Sequence, residues 1–69
     1  MAKPTIWSIY SPDDHYLGQM NAFSPQAAFC EYMFVTGKEI PAQDVQLKML
    51  PDNTQRIVYD SKEYPVVSR

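Results

Sequence analysis

The chain has 69 residues, of which 45% are hydrophobic and 13% aromatic, a composition typical of a folded domain and not of a disordered segment. This length suffices for a single domain over residues 1–69, whose core seldom contributes more than about 3–5 kcal/mol of net stability. Six basic against eight acidic side chains create no net attraction to phosphate backbones or anionic lipid, and the lone cysteine excludes an intramolecular disulfide.

Two stretches rich in β-branched and aromatic residues predict a hairpin near the start of the chain. They are residues 5–10 and 16–23, and the polar segment 11–15 between them is typical of a turn. Gly18 interrupts the second stretch, and a glycine inside a strand indicates a bulge or the close approach of another backbone. We therefore expect two antiparallel strands with an irregularity near Gly18.

One helix is predicted after this hairpin. The Ser24 hydroxyl can accept a hydrogen bond from a free amide of the first turn, and Pro25 suits the first helical position. Gly37 can adopt the left-handed conformation that follows a helix, with Lys38 near the negative end of the helix dipole. The predicted helix runs from Pro25 to about Thr36.

A second hairpin is predicted from residues 44–50 and 55–60, which both alternate polar and apolar side chains. A three-residue loop at 51–53, with Asn53 in the left-handed region, sets the register. The expected cross-strand pairs are Val45 with Tyr59, Leu47 with Ile57, and Lys48 with Arg56.

The last segment, residues 63–67, predicts a short additional strand. Pro65 has no N–H to donate to a ladder, so we expect this strand at an edge of the sheet. The predicted fold is α+β, a small ββαββ domain in which one helix packs on an antiparallel sheet of four, possibly five, strands.

The predicted helix is apolar on more than one side. At about 100° per residue, one stripe contains Phe29, Cys30, Met33 and Phe34, and the opposite side contains Ala28, Tyr32 and Val35. We expect the first stripe to face the core. The second side is covered either by loops and tail of this chain or by a partner, since a helix that is apolar nearly all round must bury both sides.

Lys48 and Arg56 oppose each other in the predicted register, and like charges across a ladder repel. Either a carboxylate or phosphate of a partner offsets this repulsion, or both side chains extend into solvent and are screened. If the partner were a nucleic acid, these two residues would be its main contacts. Trp7 or Tyr10 would then stack on bases, provided that it lies on the exposed sheet face.

Few residues suit catalysis or metal binding. Asp13, Asp14 and His15 are consecutive, so they do not easily converge on one ion, and Asp and His are ordinary in turns. Cys30 lies in mid-helix, where burial keeps a thiol protonated and unreactive. Two glycines nineteen positions apart exclude a glycine-rich phosphate loop. We therefore expect no enzymatic activity, no cofactor and no metal.

The segment 18–28 looks like a strand-to-helix passage found in many small α+β domains. The ββαββ order is similar to that of small adaptor and inhibitor proteins of bacteria and phages, and no motif assigns the chain to one family. The resemblance is generic, so the hypothesis of function rests on the lack of catalytic groups and on the surplus apolar surface of the helix.

The leading hypothesis is a non-enzymatic interaction module, acting as an accessory subunit, adaptor or inhibitor. It would bind another protein or a second copy through the outer helix face or a sheet edge, and the candidate contact residues are Tyr32, Val35, Ala28, Lys48 and Arg56. The alternative is a small nucleic-acid-binding domain. The chain shows no apolar run of ~20 residues and no signal-peptide pattern at its start, so we expect a cytoplasmic protein.

Overall fold

A computed structural model describes residues 3–68, so residues 1, 2 and 69, including the first two positions of the segment searched for a signal peptide, lie outside the described residues. The elements are β1 (Thr5–Tyr10), β2 (Tyr16–Ala22), α1 (Pro25–Val35), a 3₁₀ turn (Ala42–Asp44), β3 (Gln46–Met49), β4 (Gln55–Tyr59) and β5 (Lys62–Ser68). This content confirms the predicted α+β class. No helix within residues 3–68 has the length and apolar character needed to cross a membrane.

The five strands form one antiparallel sheet in the order β2-β1-β5-β4-β3. The fifth strand, which the sequence left as a possibility, is present, but its predicted place at an edge is wrong. β5 lies at the centre, pairing with β1 from Trp7↔Ser68 to Ile9↔Val66 and with β4 from Gln55↔Val66 to Tyr59↔Lys62. Within the sheet formed by the described residues, β5 thus joins the two hairpins.

Pro65 is accommodated in this central strand because its nitrogen faces the point where one ladder ends. A two-residue loop makes Tyr59↔Lys62 the closing hydrogen-bonded pair of β4 and β5, so by alternation Arg56↔Pro65 is a pair without mutual hydrogen bonds. The Pro65 nitrogen is therefore directed towards β1. The β1–β5 pairing stops at Ile9↔Val66, next to Pro65, so the missing N–H lies at the end of that ladder and interrupts no pair within it.

The helix begins where predicted and ends one residue earlier than expected. The Ser24 hydroxyl accepts a hydrogen bond from the Ala27 amide at 3.1 Å, and Pro25 is the first helical residue. At the other end, Gly37 has φ 98° and its amide donates to the Phe34 carbonyl, while the Lys38 amide donates to Met33. These two bonds form a Schellman motif, which ends the helix.

The first hairpin contains the irregularity expected near Gly18. Ile9 pairs with Gly18 but Tyr10 pairs with Tyr16, so Leu17 is the extra residue of a bulge. A Cβ atom at Gly18 would lie 3.2 Å from Cε1 of Tyr32. The close neighbour at this glycine is thus a helix side chain and not another backbone.

The second hairpin has the predicted register, with Leu47 opposite Ile57 and Lys48 opposite Arg56. Asn53 adopts the expected left-handed conformation, with φ 70°. The first strand is shorter than predicted, because Val45 follows the 3₁₀ turn and the ladder begins at Gln46↔Val58.

The core lies between α1 and one face of the sheet. Phe29, Ile9 and Ile57 are its largest fully buried side chains, and the Phe29 ring lies 4.8 Å from the ring of Tyr64 and 5.9 Å from that of Tyr59. No helix or strand among residues 3–68 packs on the opposite face, which we call the open face.

The loop between β4 and β5 supplies a test of this topology. Asp60 and Ser61 have φ of 52° and 63°, as a type I′ turn requires. A serine is strained in this left-handed conformation, whereas a glycine is not. Replacing Ser61 by glycine should therefore raise the free energy of unfolding by about 0.5–1 kcal/mol. Urea denaturation would measure this. Ser68→Gly, in the extended end of β5, is the control and should give no gain; equal effects of the two changes would contradict the turn.

Candidate interaction surface

The side of α1 that faces the sheet runs between the two predicted stripes. Ala28 and Phe29 are both fully buried, and Tyr32 and Met33 are half-buried. Counted from the buried Pro25, these positions follow the i, i+3, i+4, i+7, i+8 spacing of a single helical face. The placement of Ala28 on the outer side was therefore wrong, because the sheet lies beneath the boundary of the two stripes.

The outer side of α1 is less apolar than expected. Tyr32 turns inward over Gly18, and Phe34, which we assigned to the core stripe, is exposed like Val35. Glu31 is also exposed on this side. Phe34 and Val35, at the C-terminal end of the helix, are the apolar side chains that remain exposed on this side for a partner. A partner contact through Tyr32 or Val35 stays a prediction.

A group of apolar side chains on the open face was not found by sequence reasoning. It consists of Ile6, Tyr10, Tyr16 and Val67, and we call it the open-face patch. Ser8 pairs with Val67 and Tyr10 with Tyr16, so the two-residue alternation of strands places all four on this face. Ile6, Tyr16 and Val67 are 43%, 55% and 51% exposed, and the rings of Tyr10 and Tyr16 meet edge to face at 5.6 Å.

One signal for this patch was present in the sequence. β1 is apolar on both of its faces, with Ile6 and Tyr10 on one and Trp7 and Ile9 on the other. An antiparallel strand with one solvated face normally alternates between apolar and polar side chains. A strand that lacks this alternation indicates that both faces of the sheet have something to contact.

The repulsion between Lys48 and Arg56 is relieved inside this chain. Glu63 of β5 accepts a hydrogen bond from the Lys48 ammonium at 3.0 Å through Oε2, and its Oε1 lies 3.7 Å from the Arg56 guanidinium. Neither a partner's anion nor complete solvation is needed to offset the repulsion between Lys48 and Arg56. The sequence did not point to Glu63, because its position beside Arg56 depends on β5 lying next to β4.

The aromatic residues named for base stacking lie on opposite faces of the sheet. The Trp7 indole N–H donates to the Ala22 carbonyl at 3.1 Å, and Trp7 packs against the core on the helix side. There it lines a shallow cleft of about 240 Å³ with Gln55, Val66 and Ser68. Tyr10 is the one of the two that shares the open face with Lys48 and Arg56.

The remaining candidates lie in separate elements. Burial raises the pKa of the Cys30 thiol, which lowers the fraction of reactive thiolate at neutral pH. His15 is exposed in the β1–β2 turn, where its amide donates to the Ser11 hydroxyl. Among residues 3–68, no group of three or more His, Cys, Asp and Glu side chains has an arrangement suited to a metal ion.

Asp52 has a structural part in the β3–β4 loop. Hydrogen bonds from the Thr54 hydroxyl, at 2.6 Å, and from the Thr54 amide, at 3.1 Å, lower the pKa of the Asp52 carboxyl. The bonds within this loop explain the shift and indicate no ligand.

The Glu63 carboxylate can be tested as a bridge between two cations. Glu63→Gln should lower the free energy of unfolding by less than ~1 kcal/mol, because the pairs are partly exposed. The loss should shrink with added salt, which screens the unrelieved repulsion of Lys48 and Arg56. Thermal or urea unfolding at low and high salt would measure it.

The matched control is the same Glu63→Gln change in a Lys48→Gln background, where less repulsion remains to be relieved. The loss there should be smaller. An equal, salt-independent loss in both backgrounds would show that Glu63 acts through packing and not through charge.

Comparison of the chain with protein-family models, with curated proteins and with solved structures finds no match. The inference of function therefore rests on the surfaces of this chain alone. Among these surfaces, the open-face patch combines exposed apolar side chains with charged neighbours on the same face.

Proposed function

We propose that the protein is a non-enzymatic interaction module that binds a larger protein, as an adaptor, accessory subunit or inhibitor. The observation that carries this proposal is the open-face patch, in which three apolar side chains are about half exposed on adjoining strands. Exposed apolar side chains that lie together on one face mark an interaction site. These groups stand on paired strands, so little conformational entropy is lost when a partner covers them.

The surroundings of the patch suit a protein partner. Lys48, Arg56 and Glu63 lie on the same face, towards the β3 edge, and together carry one net positive charge. An apolar centre with a charged rim is the usual arrangement of protein interfaces. The expected partner surface is apolar, with an acidic group that meets this rim.

Two observations favour a protein over a nucleic acid. Lys48 and Arg56 both contact Glu63, so a phosphate would compete with a carboxylate already in place. The chain also carries a formal net charge of −2, which opposes approach to a polyanion. A nucleic acid is therefore the less favoured partner.

The proposal is tested by capture from an extract of the native host with a double variant, Ile6→Glu and Val67→Glu. Both side chains are exposed, so the variant should remain folded, as its circular dichroism and unfolding midpoint would show. Recovery of the partner should fall at least about tenfold, the effect of losing a few central contacts. The wild-type capture should survive nuclease treatment.

The matched control carries the same number of acidic changes on the other layer, Phe34→Glu and Val35→Glu. Capture by this control should equal that of the wild type. Loss of capture with the control but not with the open-face variant would move the site to the outer helix side. Capture that disappears after nuclease treatment would favour a nucleic-acid partner.

A further inference from the structure

We infer that the free edge of β3 pairs with the same edge of a second copy, antiparallel, about a two-fold axis through Leu47. The two five-stranded sheets would then form one continuous sheet. This inference goes beyond the proposed function and is independent of it, because it uses a strand edge and not the open-face patch.

The backbone of β3 presents alternate residues to this edge. β3 is the last strand of the sheet, and the Leu50 amide donates to the Thr54 carbonyl at 2.9 Å, in register with Lys48↔Arg56 and Gln46↔Val58. Since hydrogen-bonded pairs alternate along an antiparallel ladder, Gln46 and Lys48 direct their amide and carbonyl groups towards β4. Leu47 and Met49 therefore direct theirs outward.

The outward groups are complementary to themselves. Leu47 opposite Leu47 of a second copy exchanges two hydrogen bonds across the axis, since each residue offers one donor and one acceptor. Met49 then lies opposite Val45, whose amide already donates to Ala42 but whose carbonyl can accept from Met49. The Leu47 and Met49 amides thus have acceptors across the axis, while the Val45 amide stays with Ala42.

The side chains agree with the same register. With the axis at Leu47, Lys48 faces Gln46 of the second copy, and no like charges meet. On the helix side of the sheet, Leu47 and Met49 are both exposed. In the dimer, each would pack against apolar side chains of the second copy across the junction. Lys48 itself is drawn to Glu63 on β5, away from the edge that a lysine normally protects.

The opposite edge of the sheet is less suited to such pairing. β2 carries the Leu17 bulge, which interrupts its regular alternation, and bulges are a common protection of sheet edges. β3 has no register shift in its ladder with β4. A short edge buries far less than the ~1,200 Å² of a stable complex, so the expected dimer is weak.

The inference is tested by sedimentation equilibrium of the full chain between about 10 μM and about 1 mM, the range expected for a weak complex. The average mass of the wild type should rise from one copy towards two. Leu47→Lys and Leu47→Glu, measured separately, should each remain monomeric, because like charges then meet at the axis. An equimolar mixture of the two variants should associate again, because opposite charges meet there.

Leu17→Lys on the β2 edge is the control and should associate like the wild type. A second measurement needs no variant: with rising concentration, the amide resonances of Leu47 and Met49 should shift while those of Gln46 and Lys48 stay. A wild type that is monomeric at the highest concentration would overturn the inference. So would self-association that persists in both single variants, or a mixture of the folded variants that fails to associate.

Discussion

The pairing of β5 with β1 on one side and with β4 on the other is the interaction on which the rest of the structure depends. Val66 belongs to both ladders, opposite Ile9 and Gln55, and is almost fully buried. An isolated two-stranded hairpin is at best marginally stable in water. Joined through β5, the two hairpins make a surface broad enough to bury Phe29 of the helix. A domain of this size has little stability to spare, so loss of this strand would unfold the whole chain.

The width of this sheet also explains which surfaces are left for partners. Strands lie about 4.8 Å apart, so five of them span about 19 Å, whereas one helix covers about 10 Å. α1 packs mainly on β2, and Leu47 and Met49 of β3 remain exposed on the same side. Nothing in residues 3–68 layers over the other face, where Ile6, Tyr16 and Val67 lie. The open-face patch and the exposure of Leu47 and Met49 thus have one cause, a single helix on a five-stranded sheet.

Features that depend on neighbours in sequence could be predicted. Ser24, Pro25 and Gly37 fix the helix ends through local hydrogen bonds and backbone preference, and Asn53 sets the β3–β4 register through its turn. The place of β5 could not be predicted, because the rule that confines proline to edges assumes that its nitrogen faces a continuous ladder. Here the β1–β5 ladder stops at Val66, the residue that follows Pro65. The predicted rotation of the helix was wrong because the prediction chose between two apolar stripes, whereas the buried face contains residues of both. Glu63 was missed because its contact with Lys48 spans fifteen residues and needs β5 in place.

Amide hydrogen exchange of Val67 tests the central position of β5 most directly. By the alternation that turns the Pro65 nitrogen towards β1, the Val67 amide donates to Ser8 across the β1–β5 ladder. It should exchange only by global unfolding, with the same opening free energy as the amide of Ile57 in β4. Rapid exchange of Val67 while Ile57 stays protected would show that β5 does not join β1, and would contradict the account of the sheet.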